Sequence, residues 1–101
     1  MAMNSSGSVR LTADGAVGRS GVPCRVFLAV ALSGAGGAGE IVLRNGTTAA
    51  GTVYVQQDGT AASKTTILNF GAEGLVFPAG CFFDIDANIA AIVVECRSEA
   101  K

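Results

Sequence analysis

The chain has 101 residues, half of them apolar, and a formal net charge of −1 at pH 7. This length suits one domain rather than two. The weak charge gives no electrostatic basis for a nucleic-acid or anionic-membrane partner. Histidine is absent, which removes the commonest general base and the commonest metal ligand. We therefore expect a protein that is not an enzyme and that has no metal, cofactor or small-molecule substrate.

Residues 1–21 are rich in Ser, Gly and Ala, and their only apolar rhythm is Val9, Leu11 and Val17. This composition predicts a flexible, extended N-terminal arm, followed by one β-sandwich domain over residues 22–101. The arm is either a disordered tail or a segment that orders against a neighbouring subunit. A strand at Val9–Leu11 fits both alternatives, at the edge of its own domain or of a partner's. The segment lacks the layout of a signal peptide, so synthesis in the cytoplasm is expected.

The longest near-unbroken apolar run covers residues 23–33 and predicts the central strand. Its β-branched and aromatic residues, the proline at its start and the glycine-rich stretch at 34–39 favour a strand over a helix. Alternate residues of a strand share a face. The alternation predicts that the core-facing residues are Cys24, Val26, Leu28, Val30 and Leu32. It places Arg25, Phe27, Ala29 and Ala31 on a second, half-covered face.

Further strand-like segments follow at 40–45, 52–57, 65–70, 81–85 and 89–96, with turn signals such as Asn45-Gly46 and Asp58-Gly59 between them. The first two predict an antiparallel hairpin, with Val53 and Val55 inward and Tyr54 outward. Apolar residues recur with a period of two, and no helical period occurs. We therefore predict an all-β fold, a single small antiparallel β-sandwich or jelly roll of about seven or eight short strands.

Two sets of side chains invite a chemical interpretation. Cys24, Cys81 and Cys96 are odd in number, lack close spacing and lie in apolar segments, which predicts buried, reduced thiols rather than a disulfide framework or a metal site. Asp84 and Asp86 point the same way on a strand and would suit a calcium ion or an acid–base pair. A solvated strand end is the favoured interpretation, because no further carboxylates lie nearby in the sequence.

Low charge combined with high apolar content leaves little repulsion between copies of the chain. We therefore expect a protein that packs against other subunits. The candidate interface residues are Phe27 and Tyr54 on the strands, with Val9, Leu11 and Val17 on the N-terminal segment. A small ligand- or carbohydrate-binding β-sandwich module is the alternative from a different functional class, and an exposed aromatic pair would favour it.

Three segments carry a resemblance to a known group of proteins: GEIVLRNGTTAAGTVYVQ at 39–56, GLVFPAGCFFDI at 74–85 and NIAAIVVEC at 88–96. Their layout resembles small proteins encoded among the virion genes of tailed bacteriophages. The resemblance implies a capsid decoration (cement) protein, with a tail or head–tail connector component as the alternative. It further implies location in the virion. The implied partners are other copies of the chain, with a trimer favoured, and a major capsid protein or another virion protein.

Overall fold

The computed structural model describes residues 5–37, 39–58 and 61–98, and within these ranges every helix or strand is a β-strand. The all-β prediction is confirmed. The nine strands are β1 (Ser5–Leu11), β2 (Gly15–Val17), β3 (Cys24–Ser33), β4 (Glu40–Asn45), β5 (Thr52–Asp58), β6 (Thr65–Asn69), β7 (Leu75–Phe77), β8 (Cys81–Ile85) and β9 (Ile89–Ser98). Seven or eight strands were expected, and the three-residue β2 lies where a flexible segment was predicted. The predicted Asp58-Gly59 turn falls partly outside the described residues.

The strands form two antiparallel sheets that pack face to face, as the sandwich prediction requires. The five-stranded sheet has the order β1-β9-β3-β6, and β7 pairs with the remaining length of β3. The four-stranded sheet has the order β2-β8-β4-β5. Buried apolar side chains from both sheets meet in one cluster, which includes Phe77, Phe83, Ile41, Leu43 and Ile92. This cluster is the core of the sandwich.

Strand β3 is central, as predicted, because β9 lies on one side of it and both β6 and β7 lie on the other. Its register against β9 shifts between Val26 and Leu28, so that Phe27 is an extra residue on β3. An extra residue of this kind is a β-bulge, and it reverses which face the following side chains occupy. Cys24 and Val26, before the bulge, face the core as predicted.

Beyond the bulge the prediction for β3 was wrong. Ala29 and Ala31 are buried in the core, whereas Leu28, Val30 and Leu32 point away from it. Leu32 is 45% exposed. The reason is the single inserted residue, because a period-two pattern extended across it assigns every later side chain to the opposite face.

The N-terminal segment supplies an edge strand to each sheet of its own domain. Strand β1 pairs with β9 over its whole length, and β2 pairs with β8. Of the two alternatives for a strand at Val9–Leu11, the structure shows the one in which the strand lies at the edge of its own domain. The flexibility expected for residues 1–21 stays a prediction.

The β4–β5 pair is antiparallel, in agreement with the predicted hairpin, but its side chains depart from the predicted phase. The register shifts between Leu43 and Arg44, opposite Tyr54. Val53, predicted to face inward, is exposed, and Val55 is half-buried against the core. As on β3, a shift of one residue explains why strict alternation failed.

Candidate functional site

The exposed side of the five-stranded sheet carries an apolar surface that we call the outer face, defined by Leu28, Val30, Leu32, Ile67 and Val93. The first three alternate along β3 with core-facing alanines, so they project from the opposite side of the sheet. Ile67 is 62% exposed and Val93 is 38% exposed. Large apolar side chains on one sheet face are a feature of surfaces that are covered by a partner.

The outer face is continuous because its residues are cross-strand neighbours. Val30 lies directly opposite Ile67 on one side and Val93 on the other, and such pairs have their Cβ atoms about 4.5–5.5 Å apart. On the β1 side, Arg10 lies opposite Val93. Glu95 lies opposite Leu28. The outer face is therefore an apolar row across three strands, with Arg10 and Glu95 at its margin and the opposed pair Arg25 and Arg97 further along the same side of the sheet.

The three predicted interface residues of the N-terminal segment face the core instead. Val17 is 2% exposed, so it has no surface to offer a second subunit. Val9 and Leu11 are half-buried against the core cluster. Their partners in β9 are Val94 and Ile92, which are core residues. Because directly opposite residues share a sheet face, the side chains of Val9 and Leu11 must also point toward the core.

The two predicted aromatic interface residues lie at the surface but have partners within the chain. Phe27 is half-buried at the bulge, with the Arg97 guanidinium 5.6 Å from its ring centre, a cation–π distance. Tyr54 is 44% exposed, and its ring stacks on buried Phe77 at 5.3 Å between ring centres. Each aromatic ring therefore has one free side at most.

Sequence reasoning missed Leu32, Ile67 and Val93 as surface residues. For Ile67 and Val93 a signal was present, because each is a large apolar residue that alternates along its strand with core-facing residues such as Leu68 and Ile92. For Leu32 no such signal existed, since the bulge lies between it and the start of its strand.

The two neighbouring aspartates do not form a shared site. One oxygen of Asp84 accepts hydrogen bonds from Nε and an Nη atom of Arg44, both at 3.2 Å. Asp86 accepts a hydrogen bond from the backbone N–H of Asn88 at 2.8 Å, in the turn after β8. Among the described residues no group of three metal-ligating side chains is close enough to hold an ion. The interpretation as a strand end fits this arrangement.

The three cysteines are free and buried, as predicted, and they lie close together. The Cys24 thiol donates a hydrogen bond to Cys96, which lowers the pKa of Cys96 to about 7 despite an opposing effect of burial. Burial, and secondarily the negative charge of Cys96, raise the pKa of Cys81 well above its usual value. The cluster thus contains one sulfur that ionises near neutral pH and one that stays protonated.

A shallow cleft of about 320 Å³ opens beside Cys96, between the start of β1 and the loop after β2. Its walls are mostly small residues, and Arg19 contributes its one cationic side chain. The residues that line the cleft are Gly7, Ser8, Val9, Gly18, Arg19, Cys96 and Ser98.

No known protein family, no curated protein and no solved structure matches this chain. In the described ranges there is no helix that is long and apolar enough to cross a membrane.

Proposed function

We propose that this protein is a virion structural subunit of a tailed bacteriophage. We propose further that it is a capsid decoration protein that stabilises the shell by non-covalent contacts. The observation that carries the proposal is the outer face, a continuous apolar row on the side of the five-stranded sheet that is turned away from the core, where no other strand among the described residues covers it. The resemblance of residues 39–56, 74–85 and 88–96 to small phage virion proteins gives the biological setting.

The outer face favours assembly because covering it removes apolar surface from water. Full burial of a Val, Leu or Ile side chain is worth about 1.5–3 kcal/mol relative to exposure. Ile67, Leu32 and Val93 are the most exposed of the set on this sheet. The two longer dimensions of the molecule are 44 and 27 Å. A sheet face of this size can accommodate the roughly 800 Å² per partner that a stable interface buries.

The proposed occupant of the outer face is another copy of the chain. The net charge of −1 gives little repulsion between copies. The apolar row extends to β6, which is an edge strand. The outer face of each copy can therefore contact the side of the next copy around a cyclic symmetry axis. A trimer is the favoured assembly, and a major capsid protein or another virion protein is the surface on which it sits.

The experiment is the native mass of the full-length protein and of Ile67→Asp, measured by light scattering at several concentrations. We expect an oligomer, with a trimer favoured, for the unmodified chain. We expect a folded monomer for the variant, because burying an unpaired carboxylate in an apolar contact is costly. Val53→Asp is the matched control, since it changes an exposed valine on the other sheet and should leave the oligomer intact.

A monomeric unmodified protein at all concentrations would contradict self-assembly through the outer face. Equal dissociation by Ile67→Asp and Val53→Asp would place the contact elsewhere. Circular dichroism of each variant separates loss of assembly from loss of fold.

No second function is favoured by an observation. A carbohydrate-binding module would require aromatic rings free to stack on sugars. All six aromatic residues lie in the described part of the chain, and of these only Tyr54 is exposed, with its ring stacked on Phe77.

A further inference from the structure

Cys24 and Cys96 occupy neighbouring strands with both thiols on the core side of the five-stranded sheet. Cys24 lies opposite Ser98 and Cys96 lies opposite Val26, so the two cysteines are diagonal cross-strand neighbours. Their sulfurs are in hydrogen-bond contact. A disulfide needs Cα atoms about 4.4–6.8 Å apart, whereas diagonal neighbours in adjacent strands are about 7–8 Å apart, so β3 and β9 must move about 1 Å closer at this point to join the two sulfurs.

Cys96 is the member of the pair that small molecules can reach. It is 9% exposed and lines the cleft, whereas Cys24 and Cys81 are fully buried. The residue opposite Cys96 on β1 is Gly7, where an added Cβ would meet nothing within 4 Å. Because Gly7 has no side chain, the cleft stays open between this edge strand and the Cys96 sulfur.

The chemical character of the two thiols suits different roles. With a pKa of about 7, Cys96 is a thiolate in a large fraction of molecules at neutral pH, and the thiolate is the nucleophile in cysteine chemistry. Cys24 donates to that thiolate and is therefore already oriented toward the sulfur that it would attack. Arg19 also lines the cleft and supplies a cationic group there.

We propose that Cys96 is a peroxide-reactive thiol and that Cys24 is its resolving thiol, the two closing a disulfide between β3 and β9. In the first step the Cys96 thiolate attacks one oxygen of hydrogen peroxide. The O–O bond breaks, a sulfenic acid forms, and the departing hydroxide takes up a proton to give water. In the second step the Cys24 sulfur attacks the Cys96 sulfur, the S–O bond breaks, and the Cys24 proton leaves with a second water. Two thiols are oxidised and one peroxide is reduced to two waters.

Cys81 is the competing partner, since its sulfur lies near enough to Cys96 for their charges to interact. Its burial keeps it in the thiol form, which is a poor nucleophile. Cys24 is favoured over Cys81 as the resolving thiol because its hydrogen bond to Cys96 already brings the two sulfurs together.

The experiment treats the full-length protein with equimolar hydrogen peroxide, blocks free thiols, digests with trypsin and identifies cross-linked peptides by mass spectrometry. Trypsin cleaves after Arg19, Arg25, Lys64 and Arg97, which places Cys24 in peptide 20–25 and both other cysteines in peptide 65–97. We expect the two peptides to be joined in the unmodified protein and in Cys81→Ala, and to be separate in Cys96→Ala. A disulfide internal to peptide 65–97, or no disulfide in a folded protein, would overturn the proposal.

Access and ionisation are tested by the rate at which iodoacetamide modifies Cys96. The rate should rise with pH around a midpoint near 7. Gly7→Leu should lower it by about tenfold, because a side chain at that position fills the cleft. Ala16→Leu, which adds the same bulk to an exposed position that does not line the cleft, is the control. Equal rates in Gly7→Leu and the control, or a midpoint near 9, would contradict the proposed role of Cys96.

Discussion

Among the glycines in the described part of the chain, Gly51 is the one where the surrounding backbone leaves least room for a side chain. A Cβ placed there would lie 2.1 Å from the carbonyl oxygen of Asn45 and 3.0 Å from its carbonyl carbon. Both contacts are with backbone, so no side-chain rotation relieves them. The connection between β4 and β5 therefore depends on glycine at this position.

Gly51→Ala is expected to lower the free energy of unfolding by about 1–3 kcal/mol, the usual cost of overpacking. Urea denaturation followed by circular dichroism measures it. Gly7→Ala is the matched control, since its Cβ would enter open space, and it should change stability by less than about 0.5 kcal/mol. Similar losses for both variants would show that the hairpin connection is not close-packed at Gly51.

At the scale of the element, β3 shows what the sequence could and could not predict. On β6 and β9 core-facing residues such as Leu68 and Ile92 alternate with outward-facing residues, as a period of two predicts. On β3 both faces are apolar. An inserted residue therefore reverses which side chains face the core without changing the hydropathy pattern of the strand. The outer face was therefore expected to contain Phe27, whereas it is formed by Leu32 and its neighbours.

The phase of β3 beyond the bulge can be tested with two substitutions. Ala29→Leu adds bulk to a fully buried position and should cost about 1–3 kcal/mol of stability. Leu32→Ala removes a half-exposed side chain and should cost less than about 1 kcal/mol. If Leu32→Ala were the more damaging in thermal or urea unfolding, Leu32 would face the core and the original alternation would hold.

At the scale of the whole molecule, the two sheets depend on the N-terminal segment for one edge strand each. Val17 lies in the core, and β1 covers one side of β9. Composition alone could not predict this, because glycine and serine dominate the segment and the pairing is with strands far along the chain. Its low apolar content is sufficient because it contributes mainly backbone pairing and a few inward side chains.

Deletion of residues 1–21 is expected to lower the thermal midpoint by at least about 10 °C or to prevent folding. The physical reason is the loss of β1, β2 and the buried Val17. Differential scanning calorimetry on this deletion and on one that lacks residues 1–4, which keeps all nine strands, makes the comparison. A truncated domain as stable as the full chain would show that the segment is a dispensable arm.

The lengths of the edge strands limit how far one molecule can extend another by backbone pairing. In the five-stranded sheet one edge is the seven-residue β1, and the other is divided between the five-residue β6 and the three-residue β7. In the four-stranded sheet one edge is the seven-residue β5 and the other is the three-residue β2. Each sheet thus offers one long edge and one interrupted or short edge. Within one sheet, strand addition can join two molecules through the long edge but has no second long edge from which to continue, which limits the growth of a continuous intermolecular sheet.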